Sequence, residues 1–244
     1  MSKIVIHETV SLGTFCFSAH FLRKYSLRMC SYPFDWVFSN PTIIADCFSD
    51  DYQRFLDKKQ YTQHTDSGKC HHALYDPKQP LYEHWCPPFF FHHNPTREPH
   101  YQHYVRSINR LRHLLNRKTN KLFLMTYSVR STPIPCEKED PTGQTGDEIV
   151  SQLYHLKKII DSHTKNAFLL VINCLEKTNE QPSSVHSRHN LYDNIIIINL
   201  YTSHIKGTEF DDANDWNLYK GQIDEIYTFK LHSHHDSRIE HDPF

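Results

Sequence analysis

No stretch of this chain approaches the roughly 20 consecutive apolar residues that a membrane-spanning helix needs. The amino-terminal residues lack the basic, apolar and small-residue zones of a secretory leader, so the expectation is a cytoplasmic protein with no membrane span. Neither sign of charge dominates: 27 basic side chains stand against 28 acidic ones, for a net charge of -1. A nucleic-acid binder needs a clear basic excess, so nucleic acid is not an expected partner. The seven cysteines are odd in number and form no Cys-x-x-Cys pair, which argues for reduced thiols and against a disulfide scaffold. Glycine is scarce, at six residues in 244, and no G-x-G-x-x-G fingerprint occurs.

Aromatic residues, at 13% of the chain, supply material for a sizeable core. From Ile4 an apolar run leads to Ser11-Leu12-Gly13-Thr14-Phe15-Cys16, and Phe17, Phe21, Leu22 and Tyr25 then recur at helical spacing. The pattern predicts a buried first strand, a sharp turn at Gly13 and a helix with Cys16 in its first turn. Residues 46–99 are strand-poor and punctuated by proline, which predicts a long loop-rich insertion after the first helix. Beyond it, apolar runs at Lys121–Tyr127, Ala167–Asn173 and Asn194–Leu200 alternate with helical patterns starting at Tyr101, Asp147 and Trp216. This alternation predicts a single α/β domain over 1–231, a three-layer Rossmann-like fold with a mostly parallel sheet. Residues 232–244 form a polar, His-rich tail.

In such folds ligands bind beyond the carboxyl ends of the strands. Ser11, Leu12, Gly13 and Thr14 lie at one such end, and Ser128 and Arg130 follow the Lys121–Tyr127 strand at another; all six are candidate binding residues. Unpaired backbone N–H groups at a helix start favour a thiolate, so Cys16 reads as a candidate nucleophile with a lowered pKa, in competition with the reading of a small apolar residue that packs the first helix. Asp35, between Phe34 and Trp36, reads as a buried carboxylate that needs a partner; Arg23 or Arg28 can supply one. The Arg-rich face from Arg106 to Arg117 reads as solvated, with anion binding as the minority alternative. Histidine and cysteine are dense at Cys70-His71-His72, His84-x-Cys86, His92-His93 and His100-x-x-His103, but without zinc-finger or His-Glu-x-x-His spacing, and no metal site is assigned.

The blocks Ser11-Leu12-Gly13-x-x-Cys16-x-x-Ala19, Leu22-Arg23, Leu27-Arg28, Pro33-Phe34-Asp35-Trp36 and Phe91-His92-His93-Asn94 together resemble a family of bacteria and large DNA viruses labelled "putative papain-like cysteine peptidase". The resemblance implies Cys16 as nucleophile, His93 or His92 as acid-base, and Asn94 or Asp35 as the group that orients the imidazole. The strand–helix alternation after residue 100 differs from the mainly antiparallel sheet of papain-like enzymes.

Three functions fit these readings. The first is a cysteine-dependent hydrolase without a cofactor, acting on a peptide, glycan or small-molecule substrate through a Cys–His pair, with amides of the Gly13–Cys16 turn as oxyanion hole. The second is a glycosyltransferase that takes a nucleotide-sugar, with or without a divalent metal. The third is a noncatalytic binding module.

Overall fold

The computed structural model describes residues 2–63, 65, 68–76, 87–128, 133–134, 148–178 and 180–231. Arg130, His84, Cys86, Asp147 and the 232–244 tail lie outside the described residues.

The apolar opening run is two strands: β1 (Ile4–Ile6) and β2 (Glu8–Gly13). The helix α1 (Phe17–Lys24) follows directly. Then come α2 (Pro41–Ser49), begun by the Asn40 side chain accepting from the Ile43 N–H at 2.9 Å with Pro41 in the first turn, and the short α3 (Gln53–Leu56). The region expected to be strand-poor holds a small antiparallel hairpin, β3 (Tyr61–Gln63) with β4 (Cys70–His72). The amphipathic helix α4 (Glu98–Leu115) leads to β5 (Lys121–Tyr127), and α5 (Glu148–His163) to β6 (Ala167–Glu176). The remainder is β7 (Ser184–Leu191), β8 (Ile195–Thr202), the two-residue strands β9 (Ile205–Lys206) and β10 (Glu209–Phe210), α6 (Asp215–Ile226) and β11 (Tyr227–Phe229).

The central sheet runs β2-β5-β6-β8-β7; its first four strands are parallel and β7 closes the edge antiparallel to β8. The chain is thus mixed α/β with a mostly parallel central sheet and six helices among the described residues. β1 pairs instead with β11, in parallel, as a separate two-stranded unit.

Because successive strand residues point to opposite faces, each strand feeds two cores. Phe123, Met125, Leu169, Val171, Ile195 and Ile197 pack on one face with Phe48 of α2, Ile108 and Leu111 of α4, and Leu153 and Leu156 of α5. Leu122, Leu124, Leu170, Ile172, Ile198 and Leu200 pack on the other with Phe17 and Phe21 of α1 and Trp216, Tyr219 and Ile223 of α6. Phe17, the residue after Cys16, stacks nearly flat on Trp216 with ring centres 4.8 Å apart, which anchors the start of α1.

Several polar groups inside the sheet are paired with one another. Asn173 and Asn199, opposite each other on β6 and β8, share a 2.9 Å side-chain hydrogen bond, and Asn199 also holds Ile134 through both its backbone N–H and C=O. Lys121 is fully buried and donates to the carbonyls of Arg117, Thr119 and Lys165, while the buried Glu8 accepts from Arg117 at 2.6 Å. The Lys121 and Glu8 contacts lie at the amino ends of their strands, away from the β2–α1 turn, whereas Asn173 stands level with Tyr127 at the carboxyl end of β5.

That turn depends on Gly13, at φ +70. A Cβ there would stand 2.8 Å from the Phe34 carbonyl oxygen and 2.9 Å from Ser39 Oγ. Gly13→Ala should therefore lower the unfolding free energy in urea by about 2–4 kcal/mol, combining left-handed strain with a backbone clash. A loss within about 0.5 kcal/mol would mean that the turn tolerates a side chain.

Candidate active site

Two segments close over the β2–α1 turn. Ser39 Oγ donates to the Leu12 carbonyl at 2.8 Å, the Ser39 N–H donates to the Thr14 carbonyl at 3.3 Å, and the Thr14 hydroxyl donates to the Thr126 carbonyl on β5. The 33–39 loop is thereby laid against the turn. Val37 in turn bridges Phe90, the Phe38 N–H donates to the Phe89 carbonyl at 3.1 Å, and Phe90 exchanges backbone hydrogen bonds with Cys70 of β4. Three remote pieces of sequence are stitched edge to edge, and the next residues of the third piece reach the first helix.

His92 is the result. Its Nε2 lies 3.0 Å from Cys16 Sγ. The Trp36 ring meets the imidazole edge to face at 5.6 Å, and Phe91 does so at 5.1 Å. His93 points elsewhere, stacked on His103 at 4.4 Å and near His100 at 5.4 Å. Adjacent residues in an extended segment face opposite ways, so one of the two histidines meets the cysteine, and it is His92.

Cys16 is the N-cap residue of α1, and its carbonyl accepts the His20 N–H at 2.9 Å. Its thiol is not the lowered one that the helix start predicts. Cys16 is 5% exposed, and burial pushes the thiol up to about 12; its own amide pulls the other way, and the Asp35 charge adds to the rise. His92 is held below its usual range by burial and by the Lys69 charge. The pair is therefore neutral at neutral pH, thiol against imidazole. The helix-end field is a fraction of a charge at the surface of a short helix, and desolvation of a thiolate outweighs it.

Asp35 is fully buried. Its Oδ2 accepts from Arg28 at 2.5 Å and from the Tyr32 N–H at 3.0 Å, while Oδ1 is buried without a hydrogen-bond partner among the described residues. Of the two arginines considered, Arg28 is the partner, and its guanidinium also lies over the Trp36 ring at 5.7 Å. The carboxylate thus ties down the turn that presents Trp36 to His92. Burial pushes its pKa up to about 6, although Arg28 opposes the rise.

The other candidates are placed apart from this pair. Ser11, Leu12 and Gly13 are buried beneath the 33–39 loop, with the Gly13 N–H donating to Ser11 Oγ at 3.3 Å; Thr14 and Ser128 are half-buried. Asn94 is buried, and its Oδ1 accepts from the N–H and hydroxyl of Thr96 just before α4. Among the described residues no group of three or more His, Cys, Asp or Glu is placed to hold a metal ion.

Beside His92 opens a cavity of about 570 Å³. It is lined by Arg23 of α1, by Trp36, His92 and His93, and by Pro99, His100, His103 and Arg106 of α4. His100, His103 and Arg106 were not marked as one site in the sequence, although their three-residue spacing places them along one face of a helix. The face read as solvated is largely engaged: Arg106 enters the cavity, Arg112 donates to Asp51 at 2.9 Å, and Arg117 holds Glu8.

A thiol thus stands against an imidazole, with the ring set edge to face against tryptophan beside an open cavity. A family model described as "Putative papain-like cysteine peptidase" matches residues 7–140, more than half of the chain, and the chain belongs to that family. No curated protein and no solved structure matches it.

The raised Asp35 pKa makes a signed prediction. Between about pH 4 and pH 6 folded Asp35 retains a proton that the unfolded chain has released, so this group lowers stability as pH rises through that window. The wild type should lose about 2–3 kcal/mol more than Asp35→Asn across it, read from urea unfolding at each pH. Equal slopes for the two proteins would show that the buried carboxylate stays ionised throughout.

Proposed function

We propose that this chain is a cysteine hydrolase in which Cys16 is the nucleophile and His92 the general acid-base, working without a cofactor on peptide substrates. The 3.0 Å contact between Cys16 Sγ and His92 Nε2 carries this reading, and the peptidase-like family supports it. The parallel strands with helices packed on both faces support a three-layer description, with the site at the carboxyl end of β2.

Starting from a neutral pair, the chemistry runs by general-base assistance. The thiol proton passes to His92 Nε2 as sulfur bonds to the substrate carbonyl carbon. The carbonyl π pair moves to oxygen, where the amide of Cys16 and the unpaired N–H groups of the first turn of α1 face the developing charge. When that pair returns, the bond to the leaving nitrogen or oxygen breaks, and His92 delivers its proton to the leaving group. A thioester remains. Water then gives a proton to His92 and its oxygen to the acyl carbon, and the carboxylic acid departs as sulfur recovers the proton.

His92 both lines the cavity and touches the sulfur, which makes the cavity the entry for the substrate. Trp36 and Phe91 set the ring plane in place of a hydrogen-bonded carboxylate. The nucleotide-sugar alternative loses its phosphate contact, because Phe34 and Ser39 already fill the space beside Gly13 that a phosphate would need.

p-Nitrophenyl acetate should acylate Cys16, detected by nitrophenolate release and by peptide mass spectrometry. Cys16→Ala abolishes this labelling, and His92→Ala slows it by about 10²–10⁴. The wild-type rate should be flat near neutral pH and fall on acidification with a midpoint below the usual ~6.5, because burial lowers the His92 pKa and protonation removes the base. Acyl transfer spread equally over several cysteines, or indifferent to His92, would make Cys16 a packed core residue and the protein a binding module.

A further inference from the structure

The cavity beside His92 is cationic by construction. Arg23 reaches it from α1 and Arg106 from α4, and His100 and His103 of α4 line it too. No carboxylate lines it among the described residues. The Asp35 carboxylate, close enough to act on Cys16, is held by Arg28 and the Tyr32 amide.

Arg106 carries the second observation. Its Nε is shut off from solvent, with no hydrogen-bond partner among the described residues, so the guanidinium is held in place by its surroundings. Arg106 also lines the cavity, and a planar oxyanion is the group that a guanidinium fork fits best. A cavity of about 570 Å³ lies within the usual range for small-ligand pockets and has room for an amino-acid side chain or a chain terminus. Trp36 supplies one apolar wall, against which the methylene stem of such a group can pack.

We infer that this cavity is the specificity pocket of the enzyme and that it takes a carboxylate of the acyl substrate, so that the preferred substrates are acidic peptides. Arg106 is the main anchor and Arg23 the outer one. This assignment rests on Cys16–His92 as the reacting pair, because it places the recognised charge one imidazole away from the attacked carbonyl. The carboxylate can come from an acidic side chain or from the carboxyl terminus of a peptide.

Two esters of similar length test it: mono-p-nitrophenyl glutarate, which carries a carboxylate, and neutral p-nitrophenyl valerate. The glutarate ester should acylate Cys16 about ten- to a hundredfold faster, the range expected of one or two charge-assisted hydrogen bonds. Arg106→Gln should bring the ratio of the two rates close to one, and Arg106→Lys should restore part of it. A ratio near one in the wild type overturns the pocket assignment while leaving the Cys16–His92 pair standing.

Calorimetric titration of the Cys16→Ala protein keeps the two readings separable even if neither ester reacts. Glutarate should bind, and Arg106→Gln should weaken binding at least about tenfold. Absence of binding, or binding of inorganic phosphate but not glutarate, overturns the carboxylate pocket. N-acetylglutamate amide against an amidated neutral peptide and its free-acid form then separates side-chain from terminal carboxylates.

Discussion

The close approach of the 33–39 loop to the β2–α1 turn is the constraint on which the site depends. Gly13 lacks a side chain where Phe34 and Ser39 press in, and Ser39 then bonds both Leu12 and Thr14. Only with that loop seated can Val37 and Phe38 pair with Phe89 and Phe90, and only that pairing brings His92 to Cys16, 76 positions away in sequence. The hydrogen bonds are individually worth about 0.5–1.5 kcal/mol, but they act in series. Loss of the first step removes the geometry of the last.

The second determinant is burial, and it changes the chemistry that the sequence leads one to expect. A helix start favours a thiolate, whereas a thiol that is 5% exposed beside a buried carboxylate does not readily ionise. The same burial lowers the basicity of His92. Both shifts favour the uncharged pair, so the proton must move during attack. A site of this kind is protected from indiscriminate alkylation and becomes reactive when a carbonyl is positioned to accept the electrons.

Much of this was legible in the residues. β5 matches its apolar run residue for residue, β6 contains its run, and β8 takes in all of its run but Asn194, because strands buried on both faces leave an unbroken hydrophobic signal. β7 left no such trace: Ser184–Leu191 is a half-exposed edge strand rich in polar residues, and its antiparallel pairing is set by β8. The β3–β4 hairpin and the β1–β11 pair are three residues per strand and depend on tertiary contact. Cys16, Asp35 and the His92-His93 doublet could be marked as candidates. The choice of His92, and Arg28 as the partner of Asp35, required the fold, since one is a question of which face a side chain takes and the other of which arginine a turn returns to.

Helix α4 joins scaffold and recognition. Its apolar face, through Tyr104, Ile108 and Leu111, packs into the sheet core, while His100, His103 and Arg106 wall the cavity, and Tyr104 donates from its hydroxyl to the His93 carbonyl at 3.3 Å. The helix therefore holds the backbone next to the proposed base and also the cation proposed to read the substrate. A shift of α4 along its axis would move both together, keeping their spacing while changing their distance to Cys16, which is fixed to the other face of the sheet through Phe17 and Trp216. Reactivity and selectivity then depend on the same rigid contact between helix and sheet, and substitutions in the buried face of α4 are expected to alter both at once.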